Sequence, residues 1–116
     1  MVLMDDGFPT TTLRLSGSET IAQVDGLCDR LRASLQASHS VIVDCDALEE
    51  ADLALVQALI AARLSAQRRR TAFHLKHPLC EPLSDALRRG GFFNDPQHAA
   101  FWTGGDEQHA QDHSQR

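Results

Sequence analysis

The stretch that most limits how this chain can fold runs from Ser40 to Arg70, SVIVDCDALEEADLALVQALIAARLSAQRRR. Val41, Ile42 and Val43 are an unbroken β-branched run, which suits a parallel strand covered on both faces. Asp44, Asp46, Glu49 and Glu50 follow as an acidic turn, and Asp52 is a good N-cap for a helix. Leu53, Leu55, Val56, Leu59, Ile60 and Leu64 are apolar over a wide arc, predicting the most buried helix of the fold. Arg68, Arg69 and Arg70 complement the dipole at its far end. In open α/β sheets the carboxyl end of a strand is where ligands bind. Here the residue after Asp52 is Leu53, which carries no reactive group.

The flanking sequence alternates in the same way. Thr10 to Leu15 places Leu13 and Leu15 on one face of a strand that Ser16-Gly17-Ser18 closes as a turn. Val2, Leu3 and Met4 are compatible with a leading edge strand. Thr20 with Gln23 fits a capping box, and Ile21, Val24, Leu27, Cys28, Leu31 and Leu35 make one apolar stripe. Gly26 lowers helix propensity by about 1 kcal/mol, which the stripe overrides. Thr71 to Lys76 alternates again, with Phe73 and Leu75 inward and His74 outward. After His77-Pro78 a third helix carries Leu79, Leu83, Ala86 and Leu87, with Pro82 confined to its first turn. Gly90-Gly91 ends it, and Phe92, Phe93, Phe101 and Trp102 are expected to pack back on the body. The β-α-β-α-β-α order predicts an α/β fold with a mostly parallel sheet and right-handed crossovers. One domain is expected over residues 1–102, followed by a polar, disordered tail over 103–116.

A chain of 116 residues with a net charge of -5 is a single domain ill suited to neutralising phosphates, so nucleic acid is not an expected partner. The three cysteines, Cys28, Cys45 and Cys80, are odd in number and widely spaced, without a Cys-x-x-Cys pair. That signals neither a disulfide framework nor a zinc site and fits a reducing cytoplasm. No apolar run reaches the ~18 residues of a membrane span. Acids in MVLMDDGF, where an export signal carries bases, point away from secretion.

Catalytic signals are weak. The acidic cluster from Asp44 to Asp52 lacks the spacing of a calcium loop, and no glycine-rich phosphate loop accompanies it, so turn and cap roles explain it. Asp5-Asp6, Asp44 or Asp46, and Lys76-His77-Pro78 superficially imitate a phosphoryl-accepting receiver domain. Only about 30 residues separate Asp46 from Lys76, too few for the two βα units such a domain needs there. The six histidines read as solvated groups, and Gly-x-Ser-x-Gly is absent. No catalytic residue, metal site or cofactor is expected.

The segments LRLSGSETIA, VIVDCDALEEAD, LALVQALIAARLSAQRRR, FHLKHP and LSDALRRGGFF, in that order, resemble the STAS domain of sulfate transporters and anti-sigma-factor antagonists. The likeness covers residues ~10–93. Asp44 and Asp52 match the family's two aspartates, Ala54 its small residue and Val56 its apolar position. Leu53 replaces the phosphorylatable Ser or Thr, and Leu55 replaces a Gly. The resemblance implies a small, mostly parallel sheet of about four strands with helices mainly on one face. It also implies a docking surface at the second helix start, assigned to Glu49, Glu50, Asp52, Leu53, Ala54, Leu55 and Gln57, with no phosphorylation at Leu53. The expected role is a non-enzymatic regulatory module of a bacterial signalling system, anti-sigma-antagonist-like or chemotaxis-associated. It would bind an anti-sigma or histidine-kinase-like partner in the cytoplasm without inserting into a membrane. The alternative is a small cytoplasmic subunit of an ABC-type lipid transporter. A homodimer is left open.

Overall fold

The computed structural model describes residues 10–104. The expected strand at Val2 to Met4 and most of the expected tail lie outside the described residues. Three strands, β1 (Thr10–Glu19), β2 (Ser40–Ala51) and β3 (Ala72–Leu75), pair in parallel in the order β1-β2-β3. Among the described residues four α-helices accompany them: α1 (Val24–Ala37), α2 (Leu53–Arg69), α3 (Glu81–Arg89) and α4 (Ala99–Thr103).

The pairing register explains which face is buried. Thr11, Val41 and Phe73 form one cross-strand row, and Leu13, Val43 and Leu75 the next. With Leu15 and Cys45 these rows point into the helical layer, where Leu27, Leu31, Leu35, Leu55, Val56, Leu59, Leu83 and Leu87 meet them. Thr12, Ile42 and His74 form the intervening row, on the opposite face. Ile42 is only half-buried there and Thr12 is exposed. The expectation that Val41–Val43 is covered on both faces is therefore corrected. A period of two sends the middle residue of a three-residue run to the other side of the sheet.

Two further boundaries differ from those expected. Ser16-Gly17-Ser18 does not end β1; the ladder continues to Glu19 through irregularities between Arg14 and Ser16 and between Gly17 and Ser18. Gly17 has φ of 62°, a conformation a side chain would strain and one typical of a bulge. Likewise the acidic segment after Asp44 is strand rather than turn, since β2 runs to Ala51 and Ala47, Leu48, Glu50 and Ala51 pair with β1.

Helix α1 is preceded by a 3-10 turn over Ile21–Gln23, where the Gln23 side-chain oxygen accepts from Thr20 N–H at 3.1 Å and from its hydroxyl at 2.8 Å. Helix α2 ends in a Schellman arrangement. Thr71 N–H donates to Ala66 O at 2.9 Å and Arg70 N–H to Gln67 O at 3.2 Å. Arg70, at φ 59°, occupies the left-handed position where glycine is usual. Pro82 sits in the first turn of α3, as expected, whereas Leu79 precedes the helix. The C-terminal aromatics do pack back: Phe101 stacks on Phe73 at 5.7 Å between centroids, and Trp102 lies 4.9 Å from Phe101 with no exposed surface.

Two stability outcomes follow. Arg70→Gly relieves the left-handed strain and is expected to stabilise the fold by about 0.5–1 kcal/mol, net of glycine's greater unfolded-state entropy. Trp102→Ala empties a fully buried site and is expected to cost about 3–5 kcal/mol. Urea denaturation of the two variants, followed by far-ultraviolet circular dichroism, checks both.

Candidate functional site

Asp52 organises the surface at the head of α2. Its backbone is extended, and one carboxylate oxygen accepts from Ala54 N–H at 3.0 Å, the cap anticipated from sequence. Its other oxygen accepts from Ile21 N–H at 3.1 Å, joining the start of the α1 segment to the start of α2. The consequence is that Ile21 and Leu53, 69% and 56% exposed, stand on one surface, with Val24, Cys28, Ala54 and Gln57 in the groove between the two helices. Large aliphatic groups this exposed are unusual unless something covers them. Ile21 is absent from the set of docking residues assigned from sequence. Its spacing puts it on the apolar stripe of the first helix, whereas it lies in a 3-10 turn that no periodicity discloses.

The other assigned residues divide. Leu53, Ala54, Gln57 and Asp52 reach the same groove. Glu49 and Glu50 flank Asp52 on its other side, along a shallow depression shared with Glu81, Pro82 and Asp85, and Ser18 hydroxyl donates to Glu50. Leu55 is corrected: it has no exposed surface and lies in the core, beneath the helix head. Leu53 and Leu64 likewise leave the buried arc expected of α2, with Leu64 39% exposed.

A second charged group sits midway along β2, just past the end of β3. Lys76 ammonium lies 2.8 Å from Asp46 and 3.6 Å from Asp44, while Arg14 is 3.9 Å from Asp44. Asp46 N–H donates to Asp44 at 2.9 Å, and this bond is the main reason Asp44 titrates below its ordinary value; Lys76 and Arg14 act in the same direction, against partial desolvation. Lys76 holds its proton more tightly in return, chiefly through its bond to Asp46. Both carboxylates thus share the half-exposed Lys76 ammonium.

Residues expected to stand apart are also brought together. Cys80 N–H donates to Cys45 Sγ at 3.4 Å, although the two are 35 positions apart. Burial is the main cause that pushes the Cys45 thiol up to about 12, with Cys80 contributing, so near neutral pH it is a protonated and poor nucleophile. The expectation that all histidines are solvated is corrected at His98, which is buried with its Nδ1 2.8 Å from Arg63. His77 Nε2 bonds to Trp102 O at 2.9 Å, while His109 and His113 lie outside the described residues. Among the described residues no three His, Cys, Asp or Glu side chains converge to hold a metal ion. No helix among them is long and apolar enough to cross a membrane.

The family model described as "Mlab, STAS domain" matches residues 4–92. The chain belongs to the STAS family. A sulfate transporter family protein from Wolinella succinogenes has a similar solved structure, with a TM-score of 0.55 and 22% identity over 75% of this chain and 72% of that one. At that identity the likeness speaks for the fold alone. No curated protein matches the chain. In this STAS domain the described residues form a parallel sheet of three strands, where about four were expected, with helices over one face. The helix head that bears Ser or Thr in the resemblance bears the exposed Leu53.

The charged group at β2 yields a pH signature. Asp44, with its lowered folded-state pKa, contributes stability that is present above its unfolded value of 3.8 and is lost as pH falls through the folded value. Asp44→Asn is expected to lower stability at neutral pH and to flatten the acid limb below about pH 4, where wild type and variant converge. Thermal midpoints measured from pH 2 to 7 check this.

Proposed function

We propose that this STAS domain is a non-enzymatic docking module that binds a protein partner constitutively, as a regulatory component of a bacterial signalling system. The observation that carries the reading is Leu53, 56% exposed on a helix head that Asp52 fixes in place. In the family resemblance the helix head binds when unmodified and is released by a phosphoryl group of charge near -2. Leucine has no oxygen to accept that group, so this surface stays neutral and apolar. The Asp44 and Asp52 frame around it is retained, which supports an intact docking geometry without its switch. Together with Ile21 it offers a dry centre, bordered by the Asp52 carboxylate with Glu49 and Glu50 beyond it, the arrangement that interface cores and rims share. The partner's matching surface carries an apolar group to meet Leu53 and basic residues around it. The anticipated partner is an anti-sigma or histidine-kinase-like regulator in the cytoplasm.

The second reading, a small cytoplasmic subunit of an ABC-type lipid transporter, is favoured by the Mlab description of the matching family model. It uses the same surface and the same absence of a switch, and differs in the partner bracketed there.

The two are separated by capturing wild type and Leu53→Asp side by side from native extract and identifying retained proteins by mass spectrometry. A partner held by wild type and lost with Leu53→Asp supports docking at this surface, and its class, regulator or transport ATPase, selects the reading. Calorimetry with that partner is expected to show affinity reduced at least tenfold, about 1.4 kcal/mol or more. Unchanged affinity places docking elsewhere. The folded state tolerates the substitution, because an acid in the first turn of a helix is favoured by its dipole. Incubation with kinases is expected to leave position 53 unmodified.

A further inference from the structure

The docking surface makes no use of the two thiols that the fold assembles at the head of α3. Cys45 lies midway along β2 and is buried. Its Sγ accepts from Cys80 N–H at 3.4 Å, and the Cys80 thiol hydrogen-bonds to it side chain to side chain. Cys80 is half-buried and precedes α3 as its N-cap residue. Its backbone is extended and its side chain makes no cap bond, so the sulfur can be engaged without uncapping α3. Two cysteines can be bridged without backbone movement only when they are close and their side chains do not diverge. Here both side chains enter the same contact. The third cysteine, Cys28, lines the groove between α1 and α2 instead.

We propose that Cys45 and Cys80 form an oxidation site, closing to an intramolecular disulfide when the chain meets a small-molecule disulfide of the glutathione type. Burial keeps the Cys45 thiol protonated, so the reaction opens at the more accessible Cys80. The Cys80 sulfur attacks one sulfur of glutathione disulfide. A mixed disulfide forms as the glutathione bond breaks, and the first glutathione leaves with the proton Cys80 gave up. The Cys45 sulfur then attacks the Cys80 sulfur from inside the fold. The second glutathione leaves into solvent with the Cys45 proton. In sum, two protein thiols are oxidised and one glutathione disulfide is reduced to two thiols. The bond ties β2 to the head of α3 and closes a loop spanning 35 positions that contains α2 and β3. It also holds α3 against the strand that carries Glu49 and Glu50, with which Glu81 and Asp85 share a depression. The site is independent of Leu53 and needs no other protein.

Full-length wild type and Cys28→Ser, incubated side by side with glutathione disulfide and mapped as unreduced peptides by mass spectrometry, test this. Both are expected to lose two hydrogen masses, to yield a peptide linked through Cys45 and Cys80, and to return to the starting mass with dithiothreitol. The oxidised form is expected to melt about 10 °C or more above the reduced form, because the closed loop restricts the unfolded chain. Cys45→Ala is expected to stop with glutathione on Cys80, and Cys80→Ser to leave Cys45 unmodified. Both thiols unmodified after incubation, glutathione retained on Cys80 while Cys45 is present, or a link made through Cys28 overturns the proposal.

Discussion

The bidentate use of Asp52 is the constraint on which the site geometry rests. One oxygen satisfies the head of α2 and the other satisfies the turn before α1. A serine or asparagine could cap α2 about as well, but each has a single acceptor oxygen and cannot present separate oxygens to the two backbone donors. This pair of hydrogen bonds sets the two helix starts side by side and leaves Ile21 and Leu53 on a common surface. Everything inferred about docking depends on that adjacency, and only indirectly on the sheet below.

Much of the architecture was legible because burial is periodic. Leu13 and Leu15, Phe73 and Leu75, and the stripe Leu27, Leu31, Leu35 all went where a period of two or 3.6 sends them. What periodicity could not supply was the edge of each pattern. Ile42 looked buried because its neighbours are, yet the pleat turns it to the other face. Leu53 and Leu64 looked buried because α2 is apolar nearly all round, and only the docking of α1 and α3 decides which arc stays out. The acidic segment after Asp44 looked like a turn because acids disfavour strands, and pairing with β1 overrides that weak preference.

The site was legible in part for a different reason. Asp52 announces itself as a cap, so the location of the helix head could be read directly, and the resemblance then named its neighbours. Leu55 was assigned to the surface from position alone, whereas a helix turns by 100° per residue and two steps from Leu53 point into the core. Ile21, the approach of Cys80 to Cys45 and the burial of His98 against Arg63 depend on contacts 31 to 35 positions apart, which leave no trace in local sequence.

The continuation of β1 and β2 past the core also determines how the surface behaves before anything touches it. Because the ladder persists to Glu19 and Ala51, the acids at Glu49 and Glu50 are carried on paired backbone up to the residue before Asp52. A loop in that place would sample many conformations and would lose them on association, at a cost of about 1–2 kcal/mol for each residue fixed. Here that ordering is completed during folding. Under the proposed docking at this helix head, this chain's side of the contact is preformed, with little conformational entropy left to surrender, so a modest apolar contact would suffice.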